Sequence, residues 1–168
     1  MQELKALVSE IPDFPKPGIL FRDITPLLRK RFDATIDALE ELFTEAEWAG
    51  VDAVAGIESR GFILAAALAE RRHKGFVPIR KKGKLPPPVV DVSYDLEYGS
   101  GVLEMQTGQG GLLLIDDVLA TGGTLAASVA LSRQAGYALA GIGVLLDIGI
   151  APGFRCGEWV PRTVLQYG

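Results

Sequence analysis

Leu112 to Ile115 are four consecutive aliphatic residues, followed at once by Asp116-Asp117 and then by Val118-Leu119-Ala120-Thr121-Gly122-Gly123-Thr124. An apolar run without alternation predicts a strand covered on both faces. Residues 123 to 136 read as a helix, so the small-residue loop between them sits where ligands bind in parallel α/β sheets. Its glycines let backbone N–H groups turn inward, and the helix N-terminus adds partial positive charge, which together suit a phosphate. Thr121 and Thr124 add hydroxyl donors. The two acids cannot favour a phosphate, so Asp116 and Asp117 are expected to face ribose hydroxyls or a hydrated magnesium ion. A plain strand-turn-helix junction explains a cap and a glycine, but not two carboxylates opening the loop.

The rest of the chain repeats the strand-helix alternation. Val51 to Ile57, Phe76 to Ile79 and Leu139 to Leu146 read as buried strands, and Gly61 to Arg72 as a helix. The expected fold class is therefore α/β, a mostly parallel twisted sheet flanked by helices. Ahead of it, Leu4, Leu7, Val8 and Ile11 recur at helical spacing up to Pro12, and residues 13 to 19 form an irregular arm. Phe32, Ile36, Leu39, Phe43 and Ala46 predict one long amphipathic helix ending near Gly50. Between the second and third core strands lies the insert 81–111, whose pieces 89–94 and 102–105 can pair as a hairpin. We read one domain, 1–168, with an N-terminal arm over 1–31 and this insert as a functional loop.

Composition narrows the chemistry. A net charge of -4 over 168 residues gives no general attraction to nucleic acid or to a membrane surface. An acidic chain that binds anions must gather its cations locally, and Arg80-Lys81-Lys82-Gly83-Lys84 is such a cluster. Cys156 is the single cysteine and His73 the single histidine, which excludes an intrachain disulfide and a two-histidine metal site. The N-terminus lacks a signal core, and no apolar run reaches the ~20 residues of a membrane span. The expected location is the cytoplasm. There is no Walker A loop, and Gly141-Ile142-Gly143 lies inside a strand, which rules out a dinucleotide fingerprint.

The segment from Leu112 to Thr124 resembles the binding motif for phosphoribosyl pyrophosphate (PRPP) in type I phosphoribosyltransferases. Other stretches are similar to the adenine-using members of that family: 14–28 to the base-binding arm, and Gly56-Ile57-Glu58-Ser59-Arg60-Gly61-Phe62 to the pyrophosphate loop. Residues 80–86 and Leu96-Glu97-Tyr98-Gly99 match the mobile catalytic loop, and Leu165-Gln166-Tyr167 the C-terminal end. Residues 147–159 depart from the family pattern, as do Val89 and Ser100-Gly101-Val102.

The resemblance implies a purine-salvage transferase that converts adenine and PRPP to AMP and pyrophosphate, with magnesium and as a homodimer. The phosphate and ribose would lie on Asp116, Asp117 and Ala120, Thr121, Gly122, Gly123 and Thr124. Pyrophosphate would meet Glu58, Ser59, Arg60, Arg80, Lys81 and Lys84, with Arg80 a candidate to act across a dimer. A non-proline cis peptide is implied at Glu58–Ser59. Adenine would stack on Phe21, with backbone groups of Leu20 and Arg22 reading its edge and Val118 on the other face. Glu97 would manage the proton or positive charge on the purine ring, and Tyr98 would close over pyrophosphate. Two other readings remain: a transferase for hypoxanthine, guanine or xanthine, and a PRPP-sensing regulator that binds nucleic acid.

Overall fold

A computed structural model of the chain describes residues 2–96 and 99–168. Its seven-stranded sheet has the order β5-β6-β4-β3-β7-β8-β9. The strands are β3 (Ala53–Ile57), β4 (Gly75–Lys81), β5 (Val89–Leu96), β6 (Gly99–Gln106), β7 (Gly111–Leu119), β8 (Ala138–Asp147) and β9 (Arg162–Gln166). From β4 to β9 every pairing is parallel, while β6 joins β4, and β5 joins β6, antiparallel. The insert thus forms the expected hairpin and extends the sheet at one edge. β9 closes the other edge and was not foreseen, because Pro161 and the polar residues after it mask a short strand.

Successive residues of the central strands feed opposite cores, which is why these runs are apolar without alternation. Val54, Leu113, Ile115 and Val164 pack under α1 (Gln2–Lys5), α2 (Thr25–Glu40), α3 (Glu45–Ala49) and α4 (Arg60–Arg71). Ala55, Leu112, Leu114 and Val144 face α5 (Gly123–Gln134) and the β5–β6 hairpin on the other side. Among the described residues, no helix is long and apolar enough to cross a membrane.

Two helical expectations are corrected. Leu4 and Val8 are buried as their spacing suggests, but the helix stops at Lys5. Residues Ser9–Pro12 form β1 and pair antiparallel with β2 (Leu20–Asp23), so Ile11 sits opposite Phe21 in a strand. Sheet pairing has overridden a short helical stripe, whose nucleation is costly in any case. The single helix expected up to Gly50 is instead broken. α2 begins at Thr25, departs from helical geometry at Arg31 and ends at Glu40. Thr44 and Glu47 then form a capping box that starts α3. Trp48, not Ala46, fills the core there, with its indole N–H donating to the Glu40 carbonyl at 3.1 Å.

Candidate active site

The carboxyl ends of β3 and β7 lie side by side, because the two strands pair in parallel from Ala53–Leu112 to Gly56–Ile115. The loops that follow them therefore face each other. A cavity of about 210 Å³ lies between, lined by Glu58 from one loop and by Asp116, Asp117, Val118, Ala120, Thr121, Gly122 and Thr124 from the other. Gly123 begins α5 and does not line it. Gly122 caps the helix with φ +87, a conformation that favours glycine, and so frees the first helical N–H groups toward the cavity.

Asp116 and Asp117 are each 6% exposed. Burial, and then the neighbouring Asp117 charge, push the Asp116 carboxyl well above the ordinary carboxylate range. Burial raises Asp117 as well, with the Arg60 charge opposing. Arg60 Nη2 lies 2.6 Å from Asp117 Oδ2, yet that oxygen has no aligned hydrogen-bond donor, so the contact is an ion pair with spare accepting capacity. The backbone is close here: a Cβ on Gly61 would lie 2.9 Å from Asp116 Oδ1 and 3.2 Å from the Ile115 carbonyl. Only glycine lets the start of α4 approach β7 so nearly. Among the described residues, no three His, Cys, Asp or Glu side chains converge as a metal cage.

The Glu58–Ser59 peptide is cis, as the family resemblance implies. Glu58 gathers the basic run: it accepts from Arg80 Nε at 3.2 Å, from the Lys81 backbone N–H at 3.1 Å and from the Lys84 ammonium. Burial acts to raise its pKa, but these three donors outweigh it and hold the carboxyl below its ordinary value. Ser59 is exposed at the start of α4 and makes no side-chain cap. Glu104 on β6 was not singled out from the sequence. It is 3% exposed and accepts from the backbone N–H groups of Gly83, Lys84 and Leu85 at 3.0, 2.6 and 2.7 Å. An acid among polar hairpin residues carries no local signal for such a contact.

The arm residues sit beside this cavity and not on it. Phe21 lines a separate cleft of about 300 Å³ with Ile11, Phe14 and Asp23. Phe14 meets Phe21 edge-on, with ring centroids 5.1 Å apart. Arg60 joins the two regions: its guanidinium lies 5.1 Å from the Phe21 ring, and its Nη1 donates to the Arg22 carbonyl at 3.4 Å. The arm is held from below by the C-terminal end. The Arg22 guanidinium stacks 3.7 Å over Tyr167, and the Lys5 ammonium donates to the Gln166 carbonyl at 2.6 Å. Leu20 is exposed at the start of β2. Glu97 and Tyr98 lie outside the described residues, between β5 and β6.

A family model for the phosphoribosyl transferase domain matches residues 26–154. An adenine phosphoribosyltransferase of Bdellovibrio bacteriovorus is 51% identical over 165 residues, covering 98% of this chain and 99% of its own. Another, from Hydrogenovibrio crunogenus, is 48% identical over 165 residues, covering 98% and 96%. Among solved structures, adenine phosphoribosyltransferase from Rhodothermus marinus superposes with a TM-score of 0.85 at 42% identity, over 98% of this chain and 97% of that one. The enzyme from Saccharomyces cerevisiae, complexed with an imino-altritol bisphosphate and adenine, gives 0.90 at 35% identity, over 98% and 97%.

Proposed function

Because the chain belongs to the adenine phosphoribosyltransferase family, we propose an assignment of its residues to the steps of that reaction. The chain is a purine-salvage transferase: it moves the ribose 5-phosphate group of PRPP onto adenine, giving AMP and pyrophosphate. The 5′-phosphate rests on Ala120, Thr121, Gly122, Gly123 and Thr124 at the α5 N-terminus, and Asp116 and Asp117 accept from the ribose hydroxyls. Burial beside Arg60 fits the pair to this work, since hydroxyl donors can take up the spare capacity on Asp117 Oδ2.

Pyrophosphate leaves toward Ser59, Arg80, Lys81 and Lys84. Its oxygens compete with Glu58 for these donors, and its higher charge favours the exchange. Adenine stacks on Phe21, with Val118 on the far side and the backbone of Leu20 and Arg22 reading its edge. As the bond from C1′ to pyrophosphate breaks, charge develops on the ribose ring and the purine nitrogen attacks C1′. Glu97 receives or stabilises the proton that the purine ring must shed, and Tyr98 closes over the leaving group.

Asp116 and Asp117 are the residues of this chain that would neighbour a magnesium ion bound with PRPP. Bound there, it would neutralise charge on the departing pyrophosphate. A homodimer is supported by the exposed apolar side chains of Phe76 and Ile63, 40% and 45% exposed, the first of which meets the Phe62 ring that lies beside Arg80. Cytoplasmic placement accords with the free, buried Cys156.

The observation that carries this reading is the shared cavity. It puts the acid pair and the phosphate loop against Glu58, which in turn gathers the basic run. The test is initial-rate release of pyrophosphate from PRPP with adenine, hypoxanthine or guanine. Adenine should be used far better, because a backbone acceptor placed for its amine meets another acceptor on the oxopurines. Comparable kcat/KM for hypoxanthine would overturn the backbone-reading assignment.

A further inference from the structure

Two acids, the partly buried Glu58 and the buried Glu104, hold the basic run, and they hold different parts of it. Glu58 takes side-chain donors, Lys84 Nζ and Arg80 Nε, together with one backbone N–H from Lys81. Glu104 takes main chain from three consecutive residues. Gly83 donates to Oε2 at 3.0 Å, while Lys84 and Leu85 donate to Oε1 at 2.6 and 2.7 Å. A buried carboxylate is costly unless its oxygens are satisfied, and three charge-assisted bonds to backbone are a strong way to do it. The residues so fixed would otherwise be hard to order: they are exposed or half-buried, and Gly83 has φ +88.

We propose that Glu104 is a positioning residue for the pyrophosphate site. By clamping the backbone of residues 83–85 from the floor of the hairpin, it sets the place from which Lys84 meets the leaving group. The Lys84 ammonium held by Glu58 can be handed to pyrophosphate, because the main chain under it is fixed by a different acid, while Arg80 is held by the β4–β6 pairing. The loop then need not pay the ordering entropy at the moment of binding. This inference rests on the reading of residues 80–84 as the pyrophosphate-binding segment.

The test compares two ligands that share a site but not a subsite: magnesium pyrophosphate and AMP, titrated separately into the full chain. Glu104→Gln keeps the size of the side chain and can still accept from Lys84 and Leu85, but its amide N–H groups oppose the Gly83 N–H. Pyrophosphate affinity should fall about ten-fold, the scale of one lost charge-assisted hydrogen bond, with AMP affinity unchanged. Glu104→Asp retains the charge but withdraws it by one methylene, so a smaller loss in the same direction is expected. It serves as the measured variant should the glutamine protein not fold.

Lys84→Ala, run in parallel, examines the underlying reading. Unchanged pyrophosphate affinity in that variant would overturn the reading of the basic run and the proposal with it. Weakened binding by Lys84→Ala but normal binding by folded Glu104 variants would overturn the role of Glu104 alone. Equal losses for AMP and pyrophosphate would also overturn it, since general loosening of the fold would then account for the effect.

Discussion

Arg60 touches three groups that belong to different ligands in the proposed assignment. It pairs with Asp117 in the ribose site, donates to the Arg22 carbonyl and lies over Phe21 in the base-binding arm. Arginine suits such a junction because its planar fork can serve an acid and an aromatic face together. Arg60→Ala would leave Asp117 buried without its counter-charge and the arm without its link to the cavity. We expect kcat/KM to fall roughly 10²-fold, with KM rising for adenine as well as for PRPP, since the buried Asp117 loses the half-exposed cation that faces it. Two-substrate steady-state kinetics would check this. A rise confined to PRPP would mean that the contacts with Phe21 and Arg22 have no part in holding the base.

The loops after β3 and β7 were legible because local chemistry and sheet topology agree there: apolar strand, special residues, then helix. The hairpin was legible for the same reason. What escaped was set by contacts distant in sequence. Trp48 displaced Ala46 from the core because Thr44 and Glu47 restart the helix, and Ile11 left its helical stripe to face Phe21. Glu104 gained its role only when the hairpin folded back over residues 83–85. The departing segment around 147–159 is another such case. Phe154 packs so tightly on the phosphate loop that a Cβ on Gly122 would lie 2.1 Å from its ring. The segment is pinned by an Ile148 N–H bond to the Leu119 carbonyl, 3.1 Å, and by the reciprocal Cys156–Trp159 pair. Phe154 thus packs against the loop without lining the cavity. Phe154→Ala should destabilise the protein by about 1–3 kcal/mol, as for a half-buried ring. It should also weaken AMP while sparing pyrophosphate, the reverse of the Glu104 pattern. Separate titrations with the two ligands would decide it, and unchanged AMP affinity would rule out a part for the segment in phosphate binding.

Over the surface of the molecule, exposed apolar side chains adjoin the polar machinery. Phe76 on β4 and Ile63 on α4 are large, exposed and adjacent to Phe62, whose ring meets Phe76 edge-on at 5.9 Å. Scattered exposed apolar residues need no explanation, but these are continuous with the site, because the Arg80 guanidinium lies 5.9 Å from the Phe62 ring. A second copy seated on this face would cover the patch and bring its own surface to the basic run. Phe76→Asp places a charge where the proposed dimer would bury it. The free chain should still fold, with circular dichroism close to wild type and a thermal midpoint lowered by a few degrees, since the Phe62 ring contact and the partner are both lost. Sedimentation at micromolar concentration should shift from a dimer to the 18.0 kDa chain. Activity should fall together with dimer content as the protein is diluted, because Arg80 and its neighbours lose the covering surface. A wild-type protein that already sediments at the mass of one chain would exclude the dimer. A monomeric Phe76→Asp variant with full activity would keep the dimer but remove it from catalysis, leaving Arg80 to act within its own chain through the contact with Glu58.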